Sequence, residues 1–249
     1  MTDSLLAFIN HYFDIVFARS EQAHILLAML YTLLAFGALY IFTVVPSYFL
    51  SMHLAENKTL AHRNFHKNQI RKEIGASIVS ILMFALLGGL AFYCFKYQIL
   101  IVEGDISLIR WTLEVFALYC WNELHFYWCH RILHTRWLYK HVHLQHHRSV
   151  RVTPLACWRF HWLEALILGS VLPLALIFYS FSVWSLMLLP IISIVWNIIG
   201  HSNWKTNIPL VGNASKRHAL HHSHFNGNYG FSSKLLDRVY GTKIVQPST

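Results

Sequence analysis

Long uncharged runs separated by short basic segments set the first expectation for this chain. Ile25 to Leu50 holds 26 residues without a charge, about 39 Å as a helix against a hydrocarbon core of about 30 Å, which predicts a membrane-crossing helix with tilt or overhang. Ile74 to Phe95 is uncharged for 22 residues, about 33 Å of helix, and predicts a second span. Ile106 to Trp121 is apolar apart from Arg110 and Glu114. Their i, i+4 spacing lets them pair on one face, and a third span follows if that face points into a bundle. Ala165 to Gly200 runs 36 residues without a charge, about 54 Å if straight, too long for one crossing. A turn near Tyr179 to Ser182 divides it into a two-crossing hairpin that Pro173 and Pro190 can kink. Residues 1 to 23 read as a short interfacial helix. The fold expected is therefore all-α: an integral-membrane bundle of about four to five spans, with residues 25–122 forming the N-terminal membrane helices. Residues 123–249 form a second region of a single membrane domain (1–249) that includes the hairpin at 165–200.

Composition agrees with a membrane protein, since mean hydropathy is +0.42 with only 12% charged residues. The formal charge of +9 flanks apolar spans and is not interleaved with exposed aromatics, which argues against nucleic acid. Of the 20 Lys and Arg, five lie between Ser51 and Glu73 and twelve from Arg131 onward. By the positive-inside rule this places both basic regions on the cytoplasmic face. No cleavable leader is evident before the first span, so that span itself is expected to be the membrane signal. The expected location is the cell inner membrane, or the endoplasmic reticulum in a eukaryote. Cys94, Cys120, Cys129 and Cys157 form no C-x2-C pair and read as small buried hydrophobes.

Histidine changes the picture from a membrane bundle to a membrane bundle with chemistry. His130 and His134 form H-x3-H, His143, His146 and His147 form H-x2-H-H, and His218, His221 and His222 repeat H-x2-H-H. With 18 His in 249 residues, two such triplets arise by chance roughly 0.004 times. On a helix, i, i+3 and i+4 share a face, so each group can aim its imidazoles at a common point. His201, closing the apolar hairpin in WNIIGHSN, is read as a further ligand. Asn197, one turn earlier, could coordinate weakly or hold a water or a histidine. His161 with Glu164 could be a supporting pair, because ligating imidazoles give their other N–H to a carboxylate or carbonyl. Glu123 and Asp237 are further supporting candidates, and each of these four is equally suited to a local ion pair or a cap. His125, His141 and His224 fall off the spacing and are expected not to ligate; His53, His62 and His66 read as solvated loop residues.

Imidazoles bind Zn, Fe, Cu or Ni, so histidine alone does not name the metal. Eight or nine are too many for one tetrahedral zinc, and a dinuclear site fits the count. Two irons bound largely by nitrogen can reduce O2 with electrons from outside, next to lipid C–H bonds at the ends of the spans. A metal-ion transporter or metal-binding membrane protein is the alternative, but its ligands would lie inside the spans and not at their ends. A b-type cytochrome would leave most of these His without a role, and H-E-x-x-H of a zinc protease does not occur.

Taken with YWCHRILH, LYKHVHLQHH and HHSHFNGNYG…LLDRVYGT, the chain from about Trp121 to Thr242 resembles the fatty acid hydroxylase/sterol desaturase superfamily of integral-membrane diiron enzymes. The resemblance implies a helical, histidine-rich catalytic cap facing the cytoplasm on a bundle of membrane helices. It implies two iron ions bound by His130, His134, His143, His146, His147, His201, His218, His221 and His222, with O2 as co-substrate. The activity implied is hydroxylation or desaturation of a lipid: sterol, fatty acyl chain, ether lipid or aminolipid. Asn197 stands where some members carry a further His, and HWLE at His161 to Glu164 replaces an H-P-x-[DE] element. No H-P-G-G or G-x-G-x-x-G segment occurs, so no heme, flavin or nicotinamide is expected to be bound, and electrons are expected from a separate ferredoxin or cytochrome b5 type carrier with its reductase. The basic face offers such a carrier a dock, and offers anionic lipid headgroups the same. Trp158, Phe160, Trp162 and Trp204 read as an apolar lining near the site.

Overall fold

A computed structural model describes residues 25–53, 60, 65–97, 99–104, 107–149 and 151–244. The expected helix at 1–23, and His62 and its neighbours, lie outside the described residues. Among those described, every element is helical, with one isolated bridge pairing Glu103 and Ser182. Three helices are long and apolar enough to cross a membrane: α1 (Ile25–His53), α2 (Gln69–Lys96) and α7 (Val183–His201). The chain is an integral-membrane helical bundle.

Helices α1 and α2 pack along their lengths, and small residues allow the approach. A Cβ on Gly88 would stand 2.2 Å from Thr32 Oγ1, and one on Gly89 2.4 Å from Met29 Cγ. Helix α3 (Leu108–Leu133) is one continuous rod. The expected third span and the first histidine of H-x3-H therefore share a helix, about 39 Å long. Ser107 caps its start by accepting from Arg110 N at 3.2 Å. Arg110 and Glu114 pair as their spacing predicted, Nε to Oε1 at 2.8 Å, and Arg110 also reaches Glu103. Buried Glu114 accepts from Ser182 N at 2.8 Å and from Tyr179 Oη at 3.3 Å. The ion pair thus ties the Tyr179–Ser182 turn to the start of α3.

After α3 a short bent segment, α4 (136–147), carries the first triplet through a π-helical turn at Tyr139–His143. The 3-10 turn Pro154–Trp158 then plunges into the bundle, all five residues buried. A loop buried this way must find partners for its carbonyls. Tyr40 Oη and Ser77 Oγ donate to Leu155 O at 3.2 and 3.3 Å, and Ser80 Oγ donates to Trp158 O at 2.8 Å. Beside it, buried Glu73 of α2 accepts from Gln69, Ser149 and Thr153 at 2.7, 2.7 and 2.8 Å. The histidine segment is therefore docked onto α2 through polar groups as well as apolar ones.

The hairpin follows as α5 (Trp162–Gly169) and α6 (Val171–Phe178), then α7. The break falls at Gly169 and Ser170, because Pro173 has no N–H to give the Gly169 carbonyl. Pro190 sits inside α7, which remains a single helix. Helices α5 and α6 lead away from the histidine end to the turn held by α3, and α7 returns. Two shorter helices, α8 (Pro209–His224) and α9 (Leu235–Val239), complete the cap.

Candidate metal centre

The nine histidines gather at one end of the bundle, in two groups. One ligand atom from each of His130, His134, His143, His147 and His221 lies within 4.8 Å of the others, and the same holds for His146, His201, His218 and His222. The expectation that each motif aims at one common point is corrected here. In both H-x2-H-H triplets, the first and last His enter one group and the middle His enters the other. The cause is angular: i and i+4 lie about 40° apart around a helix, whereas i+3 is displaced to the opposite side of i. A triplet can therefore straddle two neighbouring foci.

Backbone and carboxylate oxygens fix the outer ring nitrogens of four of the nine, whereas Nδ1 of His146, His147 and His222 is buried without a hydrogen-bond partner among the described residues. His130 Nδ1 donates to Tyr229 O at 3.0 Å, His221 Nδ1 to Gly227 O at 2.8 Å, and His201 Nδ1 to Asn197 O at 2.8 Å. His143 Nδ1 donates to Glu164 Oε1 at 2.7 Å, both side chains being buried. Each such bond places the proton on Nδ1 and leaves Nε2 as a bare lone pair aimed inward. Burial, reinforced by neighbouring imidazoles, holds His143, His146, His147, His218 and His222 well below the usual imidazole range, and burial lowers His221 to about 4. The rings are neutral, which is the ligating form.

The inward nitrogens stand close. In the first group His147 Nε2 is 3.1 Å from His143 Nε2 and 3.3 Å from His134 Nε2, which is 3.2 Å from His221 Nε2. In the second, His201 Nε2 is 3.3 Å from His146 Nε2 and 2.9 Å from His218 Nε2, with His222 Nε2 3.1 Å from His218. Adjacent ligands about 2.1 Å from one ion stand roughly 3.0–3.4 Å apart, so the spacing fits one metal per group. Glu164 supplies a second test. It is fully buried, and among the described residues no Lys or Arg pairs with it and its other oxygen has no hydrogen-bond partner. A buried carboxylate needs a counter-charge, and a cation held by His143 and its group would provide one.

The other expected residues divide. Glu164 reaches a histidine, but His161 does not join it. His161 instead caps α5, accepting from Leu163 N at 3.3 Å. Asn197 holds His201 through its backbone carbonyl, while its side chain donates to Ser193 O at 3.2 Å. Glu123 accepts from the backbone N–H of Ser232 and Ser233 at 2.8 and 3.2 Å and, among the described residues, hydrogen-bonds to no histidine of either group. Asp237 accepts from Tyr229 N, Gly230 N and Thr242 Oγ1 at 2.8, 2.9 and 2.7 Å. Asp237 thereby holds the strand of backbone whose Tyr229 carbonyl receives His130. That backbone is tightly wound: Phe225, Gly227 and Asn228 have φ of 65, 114 and 54°. A Cβ on Gly227 would meet Thr242 O at 2.5 Å, so the N-G-N-Y-G sequence is what permits the loop. Phe225, a non-glycine residue in the left-handed region, packs its ring 5.3 Å from His147.

His125, His141 and His224 join neither group. His125 is buried against Ser170 and Cys129, and the other two bond to the backbone carbonyls of Trp137 and Leu220. His53 and His66 are exposed, as solvated residues should be. Of the cysteines, only Cys157 is buried and Cys120 is exposed, correcting the expectation for the set.

An apolar cavity abuts the histidines. Phe126 and Phe160 line it, and their rings lie 5.1 Å from His130 and 5.4 Å from His146. Trp158 also lines it, but Trp162 and Trp204 do not, correcting the expected lining. Trp162 is half exposed beside His161.

A membrane bundle that concentrates nine imidazoles at two foci beside an apolar cavity defines a histidine-rich membrane protein with two clusters able to bind metal. Residues 115–242 match the fatty acid hydroxylase family model, and the chain belongs to that family. It is 30% identical over 222 residues to a Delta(7)-sterol 5(6)-desaturase of Gibberella zeae, covering 83% of this chain and 60% of the relative. A Delta(7)-sterol 5(6)-desaturase of Schizosaccharomyces pombe is 29% identical, covering 84% of this chain and 71% of the relative. One of Candida albicans is 30% identical, covering 89% and 58%. The chain spans about three fifths of the first of these relatives (60%). No solved structure matches.

Proposed function

We propose that the chain is a membrane-bound diiron oxidoreductase that uses O2 and externally supplied electrons to desaturate or hydroxylate a lipid. The observation that carries this is the pairing of five and four facing imidazoles, at metal-ligand spacing, beside an apolar cavity. His130, His134, His143, His147 and His221 would hold one ion, and His146, His201, His218 and His222 the other. Two irons so placed supply O2 reduction coupled to oxidation of a C–H bond.

The chain's own residues do the rest. The carbonyls of Tyr229, Gly227 and Asn197 and the carboxylate of Glu164 fix ring tautomers before any metal arrives. Phe126, Trp158 and Phe160 exclude water and place a hydrocarbon segment against the imidazoles. The outcome, alkene or alcohol, depends on whether the cavity presents a second, neighbouring hydrogen, whose loss gives the alkene. The names of the relatives support a sterol or similar lipid as substrate.

The twelve Lys and Arg from Arg131 onward support a cap on the cytoplasmic face of the cell inner membrane, or of the endoplasmic reticulum in a eukaryote. They also suit docking of an acidic one-electron carrier, of ferredoxin or cytochrome b5 type. The test is metal content of anaerobically purified, iron-replete protein. About two irons per chain are expected, falling when His147→Ala and His222→Ala are combined. Wild-type protein without metal, or content indifferent to both substitutions, overturns the proposal.

A further inference from the structure

The exposed apolar face of α3 runs on past the length a bilayer covers. Ile109, Leu113, Phe116, Leu124, Trp128 and Ile132 are exposed and recur at helical spacing along one side. Ile109 to Trp128 is about 29 Å of helix against a hydrocarbon thickness of about 30 Å, so Trp128 falls at the headgroup boundary and Ile132 about 6 Å beyond it. The stripe then passes to α9. The Tyr240 ring lies 5.0 Å from that of Trp128, and Leu235, Val239 and Tyr240 are exposed. Leu235 and Val239 stand four apart and share a face, while Asp237 between them is on the opposite side and buried. Cations edge the patch. Arg131 stacks on Trp128, its Cζ 5.5 Å from the ring, and Lys234, Arg238 and Lys243 are exposed.

We infer that the end of α3 and α9 form a docking surface for the anionic headgroups of the leaflet at the histidine end, and that this contact braces the loop behind His130. Tryptophan and tyrosine beside exposed apolar residues and Lys or Arg are the composition of a headgroup boundary. From Arg131 onward the chain has only two carboxylate side chains, Glu164 and Asp237, and both are buried. Every exposed charged side chain there is basic, so a second copy of the chain would set like charge against like, whereas anionic lipid complements it. Continuity with the stripe on α3 selects a bilayer over a soluble acidic protein, because the lipid that covers Leu124 already reaches Trp128. The bracing follows from the two sides of α9. Its outer side meets headgroups; on its inner side Asp237 accepts from Tyr229 N and Gly230 N at 2.8 and 2.9 Å. The Tyr229 carbonyl in turn receives His130 Nδ1 at 3.0 Å. Holding α9 against the leaflet therefore steadies the backbone that orients His130. This inference goes beyond the proposed oxidation and does not depend on it.

The experiment is hydrogen exchange, read by mass spectrometry, on the metal-free full chain in two kinds of nanodisc. One is phosphatidylcholine alone, and the other contains about one third phosphatidylglycerol. The amides of Tyr229 and Gly230 should exchange roughly fivefold more slowly in the anionic discs, the effect of about one cation meeting a headgroup. The variant Lys234→Gln/Arg238→Gln/Lys243→Gln should abolish that difference. Lys67→Gln/Arg71→Gln/Lys72→Gln removes the same charge from the other basic segment and should preserve it. Val239→Ser keeps every charge but removes an apolar anchor; it should shrink the difference, and it carries the test if the α9 triple variant does not fold. Exchange indifferent to phosphatidylglycerol, a difference that survives both α9 variants, or one lost equally when Lys67, Arg71 and Lys72 are replaced overturns the inference. Iron content is measured on separate samples. A lipid effect without iron sinks the diiron proposal alone, and iron without a lipid effect sinks this inference alone.

Discussion

Replacing Glu164 by Ala should weaken one metal position and spare the other. The carboxylate receives His143 Nδ1 at 2.7 Å, and His143 belongs to the five-histidine group. No side chain of the four-histidine group hydrogen-bonds to Glu164 among the described residues. Loss of a carboxylate behind a ligating imidazole typically costs 10–100-fold in metal affinity, or about 1.4–2.8 kcal/mol, because the ring loses both its fixed tautomer and part of its basicity. Glu164→Gln keeps an acceptor but not the charge, and should fall between Ala and wild type. The assay is anaerobic titration of apo protein with Co(II) against a calibrated chelator, followed by d–d absorption and by elemental analysis. Two binding steps are expected in wild type, with only one displaced in Glu164→Ala. Equal displacement of both steps, or of neither, would refute the assignment of Glu164 to one metal and with it the five-and-four partition.

The remaining predictions concern the scaffold and acid sensitivity. Asp237→Ala leaves three donors without their acceptor, the N–H groups of Tyr229 and Gly230 and the Thr242 hydroxyl. It should cost about 2–4 kcal/mol, read as a lowered thermal midpoint, together with weaker metal retention because the Tyr229 carbonyl behind His130 is loosened. Glu73→Leu strands Gln69, Ser149 and Thr153 and should lower the midpoint by a similar amount, whereas an unchanged midpoint would show the network to be dispensable. The cap imidazoles are held neutral, so the folded protein binds fewer protons than the unfolded chain once pH drops below the ordinary imidazole value of about 6.5. Stability of the apo protein should therefore be full above about pH 6.5 and decline as pH falls, for His221 across the window down to about 4. Midpoints that rise on acidification would contradict this sign.

Much of the centre was legible in the sequence because its ligands are side chains of one rare type at helical spacing. His130 with His134 and the two triplets could be grouped by i, i+3 and i+4 alone. Their partition could not, since it depends on the angle at which 136–147 meets α8, and that angle is set by the π-turn at Tyr139–His143 and by docking on Glu73. The supporting carbonyls of Gly227, Tyr229 and Asn197 carry no sequence signal, for every residue has one. Only the Asn-Gly-Asn run hinted at a wound loop there. Glu164 was visible as a carboxylate near the histidines, but its partner His143 lies 21 positions away, beyond any local pattern. Charge-free length marked α1, α2 and the hairpin, and failed to show that α3 is one rod through both regions. The buried turn Pro154–Trp158 was hidden because apolar residues in a loop look the same whether they plunge inward or lie at an interface.

The exchange of middle histidines between the two triplets has a consequence for how the protein is made. Neither triplet can complete a metal position by itself: His146 must cross to the group completed by His218 and His222, and His221 must cross to the group begun on α3. A chain emerging into the membrane therefore holds four of the five histidines of one group and two of the four of the other until α8 has been synthesised and has folded back. If the proposed function holds, iron loading becomes the closing stitch of biogenesis, and a chain truncated before His218 should pass through the membrane-insertion machinery yet never acquire a full complement of metal.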